Sequence, residues 1–258
     1  MLSYQHAYHA ANLADVHKHA LLAWVLDYLT RKDKPLSYIE THAGRGLYDL
    51  EGEAARKTGE AAQGFDRVAG WFGPDHPYAV QVARTRALHG VRAYPGSPLI
   101  AAQALRPGDR MHLAELHPQE FAALSYTMSP HEAHVAQREG AEFALSLTPP
   151  DPRRGLCLID PSYEVKDDYV TIPLLVQKLH RKWPVGIIML WFPLLAGNPH
   201  AQILARLGGM EGVLRHIVRF PPARPGHGMT GSGLVVINPP YGLAEQAAWL
   251  EGKFAQLS

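Results

Sequence analysis

Six apolar stretches, each ending in a polar, glycine or proline tip, constrain most strongly what this chain can fold into. Segments with helical spacing lie between several of them, and the first helix is expected at 13–31 with Asn12 as its cap. Strands that alternate with helices predict an α/β fold with a mostly parallel sheet covered on both faces. In such a sheet a ligand binds at the carboxyl ends of the strands, where these tips lie. The stretches are PLSYIETHAG at 35–44, MHLAELHP at 111–118, GLCLIDPSY at 155–163, VGIIMLWFP at 185–193, LRHIVRFPP at 214–222 and SGLVVINPP at 232–240.

The overall composition excludes several classes of protein. With 258 residues, of which 47% are hydrophobic and 19% charged, the chain can bury a large core and is expected to form a globular domain. The longest apolar run, GIIMLWFPLLAG, is too short to span a bilayer, and the N-terminal residues contain no continuous apolar leader. The single cysteine, Cys157, cannot form an internal disulfide, which fits a reducing compartment. We therefore expect a soluble, cytoplasmic protein.

Residues 49–92 interrupt the alternation of strands and helices. This segment is rich in alanine and arginine, has helical spacing and shows no clear strand, so we expect an inserted helical subdomain. The main domain then comprises residues 1–48 and 93–258. Because the net charge of the whole chain is only +1, nucleic-acid binding requires a local basic patch. The candidate cations are Arg56, Lys57, Arg67, Arg84, Arg86 and Arg92 in the insertion, with Lys18, Arg45 and Lys166 near the strand tips.

The first predicted strand ends in a glycine-containing turn, ETHAGRG. Glycine lets the backbone approach a ligand closely, here at Gly44 and Gly46. A dinucleotide-binding fingerprint requires a third glycine where Asp49 stands, so that class is not favoured. An acid before the glycines, Glu40, followed by Glu115 at the second strand tip, is more typical of an S-adenosylmethionine site whose second acid binds the ribose hydroxyls. A strand-to-helix turn without a ligand is the alternative.

Two strand tips compete for the catalytic role. Asp160-Pro161-Ser162-Tyr163 resembles the D/N-P-P-Y/F/W motif of amino-methyltransferases that act on adenine, and Asn238 begins a second such stretch, NPPY. Counting strands, with VAQREG as a short third one, places Asp160 after the fourth strand, where class I methyltransferases carry this motif. Asn238 follows the last strand, which in that class is antiparallel and lies away from the methyl donor. The sequence therefore predicts a Rossmann-like class I S-adenosylmethionine-dependent methyltransferase, with Asn238 at an ordinary strand end.

The residue types of the first tip suit methylation of an exocyclic amine. The lone pair of an adenine amine is conjugated with the ring, which makes the amine a poor nucleophile. Asp160 and the carbonyl group of Pro161 can accept both amine hydrogens and so turn the lone pair toward the methyl group. Tyr163 is expected to stack on the base, which must leave any duplex to enter the pocket. Ser162 replaces the usual second proline, with a modest expected effect because the motif uses only backbone there.

The N-terminal stretch MLSYQHAYHAANLADVHKHA concentrates titratable side chains. Imidazoles together with a carboxylate suit zinc or iron. The spacings of His6 to His9 and of His17 to His19 match neither the H-E-x-x-H helix nor a Cys-His finger, so no metal is expected. Solvated histidines on a helix face are the alternative interpretation.

A set of motifs gives the chain a resemblance to a known family. In their order along the chain they closely resemble the bacterial 23S ribosomal RNA adenine-N6 methyltransferase J family, nearly from end to end. The match is looser in the helical insertion, which that family also contains. The motifs are LSYxHxxHAxNxADVxKH, THAGxGxY, YPGSP, LAELHP, IDPxYE and GMTxSGxxVINPP.

The resemblance implies a role for each matching residue. Tyr4 and His6 would face the target base, and Asp160 would be the proton acceptor beside Pro161 and Tyr163. The implied cofactor is S-adenosylmethionine, and the implied partner is 23S ribosomal RNA, either protein-free or in an early assembly intermediate. The protein is expected to act as a monomer and to bind neither membrane nor metal. The implied donor pocket consists of Lys18, His19, His42, Gly44, Gly46, Ser97, Glu115, Glu139, Gly140 and Asp160.

Three alternative functions stay open from the sequence. A DNA adenine-N6 methyltransferase shares the catalytic tip and the donor site, but usually adds a sequence-reading domain that is absent here. A non-catalytic nucleic-acid-binding protein that retains the fold is the second alternative, suggested by Ser162. A hydrolase that uses the N-terminal histidines to bind a metal is the third.

Overall fold

A seven-stranded sheet organises the chain, of which a computed structural model describes residues 6–222 and 228–257. Two further short strands form a separate antiparallel ribbon. In chain order the strands are β1 (Ser37–Glu40), β2 (Leu47–Asp49), β3 (Ala93–Pro95), β4 (Arg110–Ala114), β5 (Ala133–Ala136), β6 (Gly155–Ile159), β7 (Ile187–Leu195), β8 (Val213–Arg219) and β9 (Met229–Ile237).

The order of strands across the sheet is β5-β4-β1-β6-β7-β9-β8, and β2 pairs with β3. Neighbouring strands from β5 to β7 are parallel, whereas β9 runs antiparallel to both β7 and β8. The predicted mostly parallel sheet with an antiparallel last strand is therefore confirmed. This last strand is inserted between β7 and the edge strand β8.

Helices cover both faces of the sheet. None of those in the described residues is long and apolar enough to cross a membrane. They are α1 (Leu13–Thr30), α2 (Glu53–Thr58), α3 (Glu60–Gln63), α4 (Phe65–Val68), α5 (Pro77–His89), α6 (Ser97–Ala104), α7 (Pro118–Met128), α8 (Gly140–Leu147), α9 (Asp168–Lys182), α10 (Ala201–Leu207) and α11 (Leu243–Phe254).

The central strands are buried on both faces, as expected for a parallel sheet between helices. Every residue of β6 is buried, and its alternating side chains contribute to two different cores. Leu156 and Leu158 pack in the core that contains α1, whereas Cys157 and Ile159 pack in the core that contains α9. Because β6 is buried on both faces, only the residues that follow its end can contact a ligand.

Helix α1 is buried on nearly all sides. As predicted, Asn12 caps it, because its side chain accepts a hydrogen bond from the backbone N–H of Asp15 at 2.9 Å. Four polar residues of α1 are also buried, namely Asp15, His17, Lys18 and His19. The solvated helix face considered for these histidines is therefore wrong. Burying a polar or charged group is costly unless it is paired, so each of these side chains requires a partner inside the fold.

The segment predicted as a helical insertion contains α2 to α5, and the β2–β3 ribbon brackets it. The sequence did not reveal this strand pair, because each strand has only three residues. The ring of Phe65 lies 5.8 Å from that of Tyr78 and 5.6 Å from that of Tyr94. These rings share one apolar core with α1, so the insertion packs directly on the main domain.

The insertion also holds the segment that leads into α1. The backbone N–H of Phe65 donates to the carbonyl oxygen of Ala11 at 2.8 Å. The buried carboxylate of Glu60 lies 2.9 Å from Nδ1 of His9 and accepts a hydrogen bond from the side chain of Asn12 at 3.2 Å. Residues 9–12 are thereby fixed from the side of the insertion.

Candidate active site

A cavity of about 540 Å³ opens at the carboxyl ends of β1, β4, β6 and β7. This volume is typical of small-molecule sites. The fold brings most of the site residues predicted from the sequence to its wall, while Tyr4 lies outside the described residues and Gly46 and Tyr163 do not line the cavity. The predicted residues that line it are His6, Lys18, His19, His42, Gly44, Ser97, Glu115, Glu139, Gly140, Asp160 and Pro161.

The turn after β1 presents its backbone to the cavity. Gly44 has a φ of +61°, a conformation that favours glycine, and its N–H donates to Oε2 of Glu115 at 2.8 Å. The N–H of His117 donates to Oε1 of the same carboxylate, also at 2.8 Å. Burial raises the pKa of Glu115, and these two N–H groups oppose the rise. Glu115 is thus an oriented carboxylate with lone pairs left to accept hydroxyl hydrogens of a vicinal diol.

Gly46 supports this turn from outside the cavity. Its φ is +77°, and a Cβ at this position would lie 3.3 Å from Thr127 and 3.4 Å from Leu124 of α7. Because Gly46 does not line the cavity, its expected contact with the donor stays a prediction. The glycine instead allows the turn to bend and to pack closely on α7.

Glu139 and Gly140 form the cavity wall at the start of α8. The carboxylate of Glu139 caps this helix by accepting hydrogen bonds from the N–H groups of Ala141 at 2.9 Å and Glu142 at 2.7 Å. A Cβ on Gly140 would lie 2.2 Å from the carbonyl oxygen of Thr41, so a larger residue would push α8 away from the end of β1.

Lys18 lies between two carboxylates at the cavity wall. Its Nζ is 2.5 Å from Oδ2 of Asp160 and 3.1 Å from Oδ1 of Asp15. Burial acts to lower the pKa of Lys18, but the charges of Asp160 and Asp15 outweigh it and raise this pKa above its ordinary value. Lys18 therefore stays protonated at neutral pH and holds Asp160 in an ion pair.

Asp15 connects this ion pair to the segment before α1. Its Oδ2 lies 2.8 Å from Nε2 of His6 and accepts a hydrogen bond from the N–H of Ala11 at 2.9 Å. Burial acts to raise the pKa of Asp15, but His6, Lys18 and His19 lower it well below its ordinary value. An ionised Asp15 thus joins His6 and Lys18 on the same side of the cavity.

Two histidines line the cavity in the neutral form. Nδ1 of His19 lies 3.0 Å from the hydroxyl group of Tyr94, and burial lowers the pKa of His19 to about 3. Nδ1 of His42 lies 2.7 Å from Oγ1 of Thr41, and burial lowers the pKa of His42 as well. Both imidazoles can therefore bind a polar group of a ligand without adding positive charge.

Ser97 connects the cavity to a buried acid at the end of β1. Its hydroxyl group donates to Oε1 of Glu40 at 2.5 Å, and the hydroxyl group of Tyr38 donates to Oε2 at 2.7 Å. Burial raises the pKa of Glu40 from 4.5 to about 8. Glu40 is not among the residues that line the cavity, so Ser97 is its link to a ligand.

The tip of β6 places Asp160, Pro161 and Ser162 at the cavity but turns Tyr163 away. Tyr163 has a φ of +56°, is only 6% exposed, and donates its hydroxyl hydrogen to the carbonyl oxygen of Trp191 at 2.9 Å. This arrangement contradicts the expectation that Tyr163 stacks on a base, because its ring is buried against neighbouring side chains.

Trp191 is the aromatic side chain that does line the cavity at this point. It is half-buried on β7, and Nζ of Lys18 lies 5.6 Å from the centroid of its ring. Sequence reasoning missed this residue. The stretch WFP was visible as a strand tip, but an aromatic residue in an apolar run does not by itself indicate function.

The second tip, at Asn238, lies away from the cavity. The side-chain amide of Asn238 donates to the carbonyl oxygens of Pro184 at 2.7 Å and Gly186 at 2.8 Å, in the turn that precedes β7. Because β9 is antiparallel, its end lies where β7 begins. The prediction that Asn238 ends an ordinary strand agrees with this geometry.

The N-terminal histidines are used inside the fold. The described ranges contain no group of three or more histidine, cysteine, aspartate or glutamate side chains arranged to hold a metal ion. The four histidines instead contact protein groups: His6 contacts Asp15, His9 contacts Glu60, His17 contacts Ser232 and His216, and His19 contacts Tyr94.

Comparison with known proteins finds similarity along nearly the whole chain. Residues 33–256 match the family model described as ribosomal RNA large subunit methyltransferase D, RlmJ. Ribosomal RNA large subunit methyltransferase J of Escherichia coli (strain K12) is 37% identical over 265 residues, covering 98% of this chain and 94% of the relative. The protein of the same name from Haemophilus influenzae (strain Rd) is 38% identical over 255 residues, which cover 95% of this chain and 90% of the relative.

A solved structure shows the same fold. The crystal structure of a Legionella pneumophila protein (strain Philadelphia 1) superposes with a TM-score of 0.86 at 33% sequence identity. The superposition covers 96% of this chain and 94% of that one, so it includes both the sheet and the helices between β2 and β3.

Proposed function

We propose, because this chain belongs to the ribosomal RNA large subunit methyltransferase J family, that it transfers a methyl group from S-adenosylmethionine to the N6 amine of an adenine in 23S ribosomal RNA. The observation that carries this proposal is the position of Asp160 and Pro161, which share one cavity with Gly44 and Glu115. Methyl donor and methyl acceptor must meet in one site, and this cavity contains groups suited to both.

The residues of the cavity fit the donor. The backbone at Gly44 would pass the methionine part, Glu115 would accept the hydrogens of the ribose hydroxyls, and Glu139 with Gly140 would lie beside the adenine ring. His42 and Ser97 add neutral polar groups to the same wall. When bound, S-adenosylmethionine supplies a methyl group activated by a positively charged sulfonium.

Asp160 and Pro161 would position the target amine. Lys18 binds Oδ2 of Asp160, and we assign Oδ1 of Asp160 and the carbonyl oxygen of Pro161 as acceptors for the two amine hydrogens. Holding both hydrogens in fixed directions turns the nitrogen lone pair toward the methyl carbon. The ion pair with Lys18 fixes the orientation of the carboxylate before the RNA binds, which is electrostatic preorganisation.

The proton balance of the reaction is met by the same carboxylate. With the methyl group moved from sulfur to N6, the amine would carry a positive charge and would have to lose one proton. Asp160 would accept this proton and pass it to water.

The relatives favour RNA over DNA as the substrate, since the two curated proteins are named ribosomal RNA methyltransferases. The target base must leave its stack to reach Asp160. This step is easier before other ribosomal components cover the RNA, which supports protein-free RNA or an early assembly intermediate as the substrate. We further propose that the protein acts as a monomer.

The test pairs two substitutions with opposite kinetic signatures. Asp160→Ala should lower kcat by at least about a hundredfold while leaving donor affinity within a few fold, because amine positioning and proton acceptance are lost while the main donor contacts stay. Glu115→Ala should weaken donor binding by about tenfold to a hundredfold, while saturating donor restores most of the rate. Donor binding is measured by calorimetry, and N6-methyladenosine by mass spectrometry of nucleosides from unmethylated 23S RNA.

Asn238→Ala is the matched control, because Asn238 begins the similar stretch NPPY, which lies away from the cavity. It should retain turnover and lose about 1–2 kcal/mol of unfolding free energy with its two hydrogen bonds. Full turnover of Asp160→Ala, or a methyl group on another nucleoside, would contradict the proposed function. Efficient methylation of assembled subunits but not of free RNA would contradict the assigned substrate.

A further inference from the structure

A buried chain of hydrogen bonds connects the cavity wall to α11. Nε1 of Trp191 donates to Oγ of Ser232 at 2.8 Å. The same Oγ lies 2.8 Å from Nδ1 of His17, and Nε2 of His17 lies 2.8 Å from Nδ1 of His216. The residues behind Trp191 are all buried, with exposures of 0% for Ser232, 0% for His17 and 6% for His216.

The chemistry of the groups favours one direction for this chain. An indole N–H can only donate, so Ser232 accepts from Trp191 and must place its own hydrogen elsewhere. The acceptor within reach is Nδ1 of His17, which makes His17 the tautomer that carries its hydrogen on Nε2. His17 therefore donates to Nδ1 of His216, and His216 in turn carries its hydrogen on Nε2.

The outer end of the chain is at α11. Nε2 of His216 is buried without a hydrogen-bond partner among the described residues, and it lies 4.0 Å from Oε2 of Glu251, a side chain that is 63% exposed. Burial lowers the pKa of His17 well below its ordinary value, and the neighbouring His216 lowers it further. Burial lowers the pKa of His216 as well, so both imidazoles are neutral at neutral pH, and each donor of the chain points away from the cavity.

The inner end of the chain is the side chain next to the reacting groups. Trp191 lines the cavity, and its ring lies beside Lys18, which holds Asp160. Its backbone carbonyl accepts the hydroxyl hydrogen of Tyr163 from the tip of β6. The indole plane is therefore fixed relative to the catalytic tip from two sides, by Ser232 through the side chain and by Tyr163 through the backbone.

We propose that Ser232, His17 and His216 are positioning residues that set the plane of the Trp191 ring, against which the target adenine lies during methyl transfer. The inference rests on the proposed function for the identity of the base, and it assigns a role to His17, whose neighbours in the N-terminal stretch face the cavity directly. The three residues act through Trp191 and contact neither the donor nor the base.

The direction of the chain is tested without any turnover. Nitrogen-15 NMR of the histidine rings should show His17 and His216 both as neutral tautomers with hydrogen on Nε2. Ser232→Ala should shift the indole N–H signal of Trp191, identified by its loss in Trp191→Phe, and speed its exchange with water. A hydrogen on Nδ1 of His17, or an unmoved indole signal, would overturn the inference even if the protein methylates RNA as proposed.

The kinetic role is tested by a double-mutant cycle. Ser232→Ala should lower single-turnover kcat about tenfold with donor Kd within about twofold, because a displaced ring misplaces the base. In the Trp191→Phe background, which keeps an aromatic ring but no N–H, Ser232→Ala should change kcat by less than about twofold. His17→Gln offers the same order of acceptor and donor, so it should retain more activity than His17→Leu.

Trp183→Phe is the matched control, because its buried indole N–H donates to the carbonyl oxygen of Arg153 at 2.6 Å, outside the site. It should lower stability and leave kcat unchanged. Equal losses from Ser232→Ala in both tryptophan backgrounds would mean that Ser232 serves only folding. Absence of methylation by the unmodified protein would instead count against the proposed function and leave the NMR result to decide the inference.

Discussion

Lys18 places one positive charge between Asp160 and Asp15, and this charge fixes the orientation of the Asp160 carboxylate. Because Lys18 binds Oδ2 of Asp160, the other oxygen of the carboxylate is left to accept a hydrogen of the target amine. The ion pair therefore serves the reaction more directly than it serves stability, since buried ion pairs contribute little net free energy of folding.

Glu40 makes the stability of the fold depend on pH. Its pKa is about 8 in the fold and 4.5 ordinarily. Between these values the folded state keeps a proton that the unfolded state releases, so the unfolding free energy falls as pH rises, by at most about 1.4 kcal/mol per pH unit. Below pH 4.5 Glu40 is protonated in both the folded and the unfolded state, and above about pH 8 it is ionised in both. The stability therefore changes with pH through Glu40 only between these two values.

Glu40→Gln resembles the protonated acid and should remove this fall in stability. Urea unfolding across the same pH window measures the difference between the variant and the unmodified protein, in which the buried histidines titrate alike. Glu53→Gln, at an exposed position of α2, is the control and should follow the unmodified protein. A Glu40→Gln variant that still loses stability between about pH 5 and pH 8 would show that the acid is ionised in the fold.

Some site residues could be predicted from the sequence because strand tips locate them. Asp160 and Glu115 follow apolar runs, and parallel strands bring such tips to one edge of a sheet. Partners distant in the chain could not be predicted in this way: Lys18 meets Asp160 across 142 positions and His17 meets Ser232 across 215. The rotation of Tyr163 away from the cavity depends on a positive φ that no residue preference indicated.

At the scale of elements, the helical insertion acts on the site through the segment it holds. The described residues that line the cavity include none from α2 to α5. Yet Glu60 holds His9 and Asn12, and this segment carries His6 to the cavity wall and begins α1. We therefore expect the inserted subdomain predicted at 49–92 to order residues 9–12, which precede α1.

Glu60→Ala should loosen residues 9–12. We expect a loss of about 1–3 kcal/mol of unfolding free energy, faster backbone hydrogen exchange at 9–12, and a several-fold lower kcat with unchanged donor Kd. Glu53→Ala, on the exposed face of α2, controls for the loss of a carboxylate from the insertion. If exchange at 9–12 is the same in both variants, the contact of Glu60 with this segment has no ordering effect.

Strand direction explains why two similar tips differ in function. The tips at Asp160 and Asn238 have similar sequences, but β6 and β9 run in opposite directions. The sequence could assign them because counting strands gives their order. The position of β9 between β7 and β8 could not be read from local patterns, since it depends on pairing across the whole sheet.

At the scale of the whole molecule, some cations of the insertion contact other protein groups, whereas others are exposed to solvent. Arg92 binds both carboxylate oxygens of Asp66, at 3.2 and 3.0 Å, and the guanidinium of Arg86 lies 5.0 Å from the ring centroid of Phe65. Arg84 donates to the carbonyl oxygen of Gln103 at 3.0 Å. Arg86 and Arg92 therefore have partners within the protein, and a basic RNA-binding face formed by the candidate cations stays a prediction.

The exposed cations Arg56 and Arg67 are the better candidates for phosphate contacts. Replacing both with alanine should weaken RNA binding and reduce the slope of log affinity against log salt by about 0.7 for each lost contact with single-stranded RNA. The double replacement of Arg84 and Arg92 removes the same charge and should leave the slope nearly unchanged. Filter binding over a range of salt concentrations measures both, and an equal reduction would mean that total charge alone attracts the RNA.

Strand β9 lies between β7 and β8, so the sheet can be completed only late in the synthesis of the chain. Until residue 237 has left the ribosome, β7 has an open edge and β8 has no neighbour in the sheet. Ser232, which contacts both His17 and Trp191, is also absent until then. The nascent chain therefore carries the tips at Glu115 and Asp160 well before Ser232 can contact His17 and Trp191, and the longest-range contacts of the fold form last.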